Sequence, residues 1–490
     1  MIIAFAIGSI AARAVPITPE RQVFAVTSPA ALLAAGGAGA SANVPLSISY
    51  TGSPAAIQVR SVNYSTGVEI TPWQTVATNP GGSPVGATFS MREFDGWQKL
   101  EVRADGGTAL QSTNRIGAGL LIGLEGQSQA RIFLVNALSS GGGVTANDLV
   151  SAYGRAGLLE AVAGGNGGDP TYGVPAWYAA SASATVGGKP ILGGGGEGAA
   201  TMGNNLQTAY KVPIGFVANA PGGRAISYLN TTAKPETLAR YAETGRPNYI
   251  IMLSHGTKDV SSGTTEATYL TALDTWKDWH DGDANGAPLQ KYVLMPLIQQ
   301  RTGNNVAAVK RAQQRWREAS SLSIIYGGSG YDALLNTADN IHQSAIGNRV
   351  MGSRLGVCVS RDFDSTVTGS RGPNWTVSRS GSVVTLTPSF EDGATALAQA
   401  AAINSPPALS AAGFSILLES TQSPLTISSI AQTSGAVILT LSADPTGRVR
   451  VRYGTGNNPG GFAIVDNVAS PGLSRGALLR EDLVGKVTAS

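Results

Sequence analysis

Leu120-Leu121-Ile122-Gly123-Leu124-Glu125-Gly126-Gln127-Ser128-Gln129 is an apolar run that stops abruptly at a Gly-Gln-Ser turn. A buried strand ending in small residues lifts the Ser128 hydroxyl to the rim of a sheet, where a nucleophile must sit to be reached. Gly and Ser are also ordinary turn residues, so the turn alone is a weak sign. It gains force from Asp339-Asn340-Ile341-His342, more than two hundred residues later. There a carboxylate and an imidazole lie three positions apart, just before a helix-like segment, in a chain with only three histidines. Ser, Asp and His are the parts of an acyl-transfer site.

The segment around this turn alternates strand, loop and helix. Apolar runs recur at 119–124, 212–218, 249–253, 292–298 and 322–326. Helical patterns cover 265–280 and 305–319, the second with Val306, Val309, Ala312 and Trp316 on one face. Such alternation predicts a parallel sheet covered by helices on both faces over 116–358. Ligands of such sheets bind beyond the carboxyl ends of the strands. The Ser128 turn, Gly222-Gly223 and His255-Gly256 each follow one of these runs, so all three are expected at one edge.

On either side the rhythm is short and alternating. Residues 1–115 carry β runs at 44–50, 56–64, 88–92 and 100–103, and 359–490 carry them at 375–377, 382–387, 415–418, 437–441 and 449–453. Gly, Pro and Asn clusters separate them, which predicts a β-sandwich on each side of the α/β domain.

Composition sets the outer limits. The 490 residues are too many for one ordinary core. Hydrophobic residues at 42% with a net charge of +3 exclude a disordered chain, and so small a charge leaves no basic footprint for nucleic acid. Charged residues are 13%, about half the usual share, and glycine numbers 63. This points to a β-rich protein with uncharged polar surfaces, suited to an extracellular or virion setting. The single cysteine, Cys358, excludes an internal disulfide and a cysteine metal site, and its neighbours Gly356, Val357 and Val359 predict a buried thiol. Residues 1–12 are apolar but lack the basic start of a signal peptide and are too short to span a bilayer. They are expected to be a retained arm that packs against something, another copy or another particle subunit among the candidates.

At this point the motifs resemble the SGNH (GDSL) hydrolases, and most closely the sialate O-acetylesterase-like carbohydrate esterases. The first block there reads Gly-Gln-Ser-Asn, and here Gly126-Gln127-Ser128-Gln129. The second resembles Pro213-Ile214-Gly215-Phe216-Val217 followed by Gly222-Gly223-Arg224-Ala225-Ile226. The last resembles Asp339 to Arg349, and Arg311-Ala312-Gln313 stands where these enzymes carry Arg-x-Gln. The resemblance covers the middle half of the chain.

It implies a flavodoxin-like α/β/α fold and metal- and cofactor-independent ester hydrolysis, with an O-acetylated glycan as substrate. The low charge, the apolar arm and the flanking sandwiches add the expectation of a virion or extracellular setting. Ser128 would attack, His342 would take its proton and return it to the leaving alcohol, and Asp339 would orient the imidazole. The backbone N–H groups of Ser128 and of Gly223 or Gly222 would hold the oxyanion. The third block departs from the pattern. Ser254-His255-Gly256-Thr257-Lys258-Asp259 offers no asparagine donor. Either His255 or Lys258 substitutes beside Gln127 at the substrate, or the oxyanion hole has two members, while Asp259 orders the loop. The rival reading is a structural component of a phage or phage-like particle whose hydrolase-like domain is inert.

Other signals carry less. Gly193-x-Gly195-x-x-Gly198 follows only a two-residue apolar stub and lacks the acidic partner of a dinucleotide site. His280, between Asp278 and Asp281, is expected at a solvated helix end, with Trp276 and Trp279 of the same helix in the core.

Overall fold

The computed structural model describes residues 3–7, 21–27, 39–134, 144, 146–154, 176–179, 185–186, 189–190, 197–245, 247, 250–282, 291–295, 306–319, 324–326, 342–363, 374–389, 396–399, 414–421, 423–453 and 464–466. A mixed sheet dominates them. Its spine runs, side by side, Ala176–Ala179, Val150–Gly154, Ile214–Asn219, Arg115–Gly126, Ile250–Ser254, Lys291–Met295 and Ile324–Tyr326. Every neighbouring pair is parallel except the first, which is antiparallel. The apolar runs read from the sequence supply five of these strands. Strands covered on both faces need no alternation, and Ile214–Asn219 and Ile250–Ser254 are buried at every position.

Helices cover both faces. Leu120, Ile122 and Leu124 share one cluster with Phe133, Met202, Leu206, Met351 and Leu355. Leu121, Ile251 and Leu253 share the other with Tyr241, Leu273, Trp276, Val309 and Trp316. The helix Glu266–Asp281 starts where expected, because the Thr265 side chain accepts a bond from Thr268 N and caps it. The helix Val306–Ala319 buries Val309, Ala312 and Trp316.

The line drawn at residue 115 does not divide the core. Arg115–Gly126 is twelve residues long, about twice an ordinary strand. Its first half pairs in parallel with Arg21–Ala25 and touches Gln98–Ala104 through Gln98, while its second half belongs to the α/β sheet. Ala56–Asn63, Glu69–Thr78, Gln98–Ala104 and Leu110–Gln111 thereby continue the same sheet. Val44, Ile48, Val59 and Phe89 lie in one cluster with Leu120, Ile214 and Met351. Part of the N-terminal arm is engaged within the chain, since Ile3–Ile7 pairs in parallel with residues 46–50.

The second boundary also shifts. The helix Ala345–Phe363 runs through position 358, with Cys358 buried on it. Beyond it, Asn374–Ser380, Val383–Ser389, Val437–Leu441 and Ile427–Gln432 form an antiparallel sheet, and Pro424–Leu425, Phe414–Leu418 and Val449–Tyr453 form a second. Val384, Leu386 and Leu439 of the first pack with Ile416, Val449 and Val451 of the second. No described helix is long and apolar enough to cross a membrane.

Candidate active site

Strand register decides which loops meet. Gly126 stands opposite Ser254, and Glu125 opposite Asn219. The chain therefore leaves the sheet at three adjacent points on one carboxyl edge, on both sides of the central strand. This is the switch point of the sheet, where the crevice of an open α/β fold lies. Gly126 has φ +138, and a Cβ there would lie 2.0 Å from Ser254 O, so only glycine fits this bend. Gln127 N donates to Ser254 O at 3.1 Å, and the helix Ser128–Leu134 begins at once. Ser128 is half-buried, and its hydroxyl donates to Gln129 Oε1 at 3.0 Å.

Gln127 is 2% exposed and joins all three loops. Its amide oxygen accepts from Thr257 N at 2.8 Å and Thr257 Oγ1 at 2.9 Å, and its nitrogen donates to Arg224 O at 3.0 Å. His255 is equally buried. Its Nε2 lies 3.0 Å from Arg224 O and its Nδ1 lies 3.2 Å from the Tyr269 hydroxyl. A carbonyl only accepts, so Nε2 carries the proton and Nδ1 accepts from Tyr269. Burial lowers the His255 pKa to about 3 and leaves the ring neutral. Gln127 and His255 thus spend their polar atoms inside the protein, and the substrate-facing part expected of them is replaced by a loop-tying one. The reason is general: backbone groups freed where strands end must find partners elsewhere.

Asp259 orders the loop as expected. Its Oδ2 accepts from Ile226 N at 3.1 Å and its Oδ1 from Thr264 Oγ1 at 3.3 Å. Burial raises this carboxyl to about 6, against the opposing pull of those bonds and of the Lys258 charge. Gln313, of the Arg-x-Gln pair, donates to His255 O at 2.9 Å, and Arg311 binds Glu266. Lys258 is exposed.

The glycine loop lies against the same turn. Gly222 is half-buried, and a Cβ on it would lie 3.1 Å from Arg131 Nη1. Gly223 is exposed with φ +67. Asp339 lies outside the described residues. His342 is half-buried, just before the helix Ala345–Phe363. That helix meets the helix Ser128–Leu134, with Asn348 Nδ2 3.5 Å from Ile132 O. The structure thus gathers Ser128, Gln127, Gly222, Gly223, His255 and Lys258 at one edge.

Two residues went unread in the sequence. Arg131 follows Ser128 by one helical turn, a spacing that places both on one face. Glu125 interrupts an apolar strand and is 2% exposed. Its carboxylate accepts from Tyr241 Oη at 2.6 Å and Trp276 Nε1 at 2.9 Å, with His280 Nε2 at 3.1 Å. His280, expected in solvent, is fully buried by this contact, while Trp276 and Trp279 lie in the core.

No known family profile matches the sequence, and no curated protein matches it. Among solved structures, the chain is similar to a carbohydrate acetylesterase from Xanthomonas citri, 16% identical, over 92% of this chain and 95% of that one, with a TM-score of 0.57. A protein from Arabidopsis thaliana is 18% identical over 51% of this chain and 98% of its own, with a TM-score of 0.35. A family two carbohydrate esterase from Clostridium thermocellum, solved with cellohexaose, is 12% identical over 66% and 92%, with a TM-score of 0.28. The chain is thus similar in fold to that carbohydrate acetylesterase, and its motifs resemble those of carbohydrate esterases.

Proposed function

We propose that this protein is a serine esterase that removes O-acetyl groups from carbohydrate. The observation that carries the reading is the meeting of the Ser128 turn with the glycine loop at the sheet's carboxyl edge, tied through Gln127 to Arg224 and Thr257. The overall likeness to a carbohydrate acetylesterase supports the choice of substrate class.

In this mechanism Ser128 Oγ attacks the acetyl carbon, and the imidazole of His342 takes the hydroxyl proton. Asp339 orients the ring and stabilises the imidazolium. The N–H groups of Ser128 and of Gly223 or Gly222 receive the charge on the carbonyl oxygen. As the acetyl carbon–sugar oxygen bond breaks, His342 gives that proton to the leaving sugar oxygen, which departs as an alcohol. Water, activated by the same imidazole, releases acetate and restores Ser128.

Ser128→Ala should lower the rate on an aryl acetate and on an acetylated polysaccharide by at least about a thousandfold, with the fold intact. An active-serine probe should label the wild type only. His342→Ala should be equally poor, and the double variant no worse, because the two act as one unit. A Ser128→Ala protein as active as the wild type would remove the reading.

A further inference from the structure

The esterase reading leaves open how the third block works without an asparagine. Resting on that reading, we propose that His255 and Asp259 are positioning residues for the oxyanion loop, holding residues 222–226 in place from behind. Between the strand Ile214–Asn219 and the short helix Ile226–Asn230, this loop has no ladder of its own. Its polar backbone groups must be held by something else.

Three bonds hold it. Arg224 O accepts from His255 Nε2 at 3.0 Å and from the Gln127 amide at 3.0 Å, and Ile226 N donates to Asp259 Oδ2 at 3.1 Å. All three residues are 2% exposed. They are themselves held: Tyr269 Oη meets His255 Nδ1, Gln313 donates to His255 O, and Thr264 donates to Asp259. Tyr269 and Gln313 stand on the helices Glu266–Asp281 and Val306–Ala319, so the loop is referenced to rigid elements. The third block thereby sets where the glycine N–H groups point. Such donors act only when placed to a few tenths of an ångström, and one is worth about a hundredfold or more in rate.

The test uses the full chain and an aryl acetate. In His255→Ala and in Asp259→Ala, kcat should fall by about a hundredfold while KM stays within about threefold. Affinity for a boronic acid, which presents a tetrahedral oxyanion to Ser128, should fall in parallel. His255→Gln keeps an N–H near Arg224 O and should recover about a tenth or more of the lost rate.

A fourth variant leaves both side chains in place. Ile226→Pro deletes the N–H that Asp259 accepts, at a first helical position that suits proline, after an Ala225 whose ψ of 162 also suits it. It too should lose kcat. Folded variants, checked by circular dichroism, that keep kcat per folded molecule and boronate affinity within about twofold would overturn the proposal and leave the esterase reading standing. Wild-type activity that survives Ser128→Ala would overturn the esterase reading first, and this proposal with it.

Discussion

His255 Nδ1 and Asp259 Oδ2 face each other at 3.4 Å, and burial suppresses the charge of both. The imidazole is lowered from 6.5 to about 3, and the carboxyl is raised from 3.8 to about 6. In the window from about pH 4 to 6 the folded pair keeps one proton, on Asp259, while the unfolded chain keeps one on His255. The proton counts match, so the intact pair adds little slope to stability there. Each single variant should uncover one half. In Asp259→Asn only the depressed His255 remains. Its stability is fully present above pH 6.5 and is lost as pH falls toward 3, at up to about 1.4 kcal/mol per pH unit. In His255→Gln only the raised Asp259 remains. Its stability is present below 3.8 and is lost as pH rises through about 6. Urea unfolding of the two variants across this window should give slopes of opposite sign. Slopes of the same sign would mean that the buried pair is not held as described.

At the scale of elements, Glu125 ties the central strand to two helices three residues before Ser128. Tyr241 reaches it from Lys234–Thr244, and Trp276 and His280 reach it from Glu266–Asp281. Glu125→Ala would leave a phenol, an indole and an imidazole facing a buried gap. Stability should drop by about 2–5 kcal/mol, read from urea unfolding. A loss under about 0.5 kcal/mol would show that the helices are held by apolar packing alone. The same cluster explains what the sequence concealed. His280 ends an amphipathic pattern between two aspartates, a local sign of solvent, but its partner lies 155 residues away. The inward turn of Gln127 and His255 depends on Arg224, Thr257 and Tyr269, again contacts between separate elements. Local periodicity was legible: Val309, Ala312 and Trp316 are buried together, and the apolar runs became the sheet. Val150–Gly154 escaped notice because Val-Ser-Ala-Tyr-Gly offers no continuous apolar run. The Ser128 turn and the glycine loop stand out in the sequence because each directly follows such a run.

At the scale of the whole molecule, the distribution of cores sets how the chain should come apart. One apolar cluster extends from Phe24 to Val359 and joins the N-terminal strands to the α/β sheet through the long central strand. The cluster on the other face packs against that same sheet. The C-terminal sheets instead surround a cluster of nine described buried residues between Val384 and Val451, which shares no member with the other two. Units with continuous cores unfold together, and units with separate cores need not. Calorimetry of the full chain should therefore resolve two transitions. The smaller C-terminal core buries less surface and should melt at the lower temperature. Activity on an aryl acetate, measured after brief heating between the two midpoints, should persist, and it should vanish with the second transition. A chain ending just after Phe363 should retain that second transition and its activity. A single transition in which activity and all circular dichroism disappear together would show that the C-terminal sheets are bound into the folding of the α/β region. The helix Ala345–Phe363, which precedes those sheets in the chain, would then be the first element to examine for that coupling.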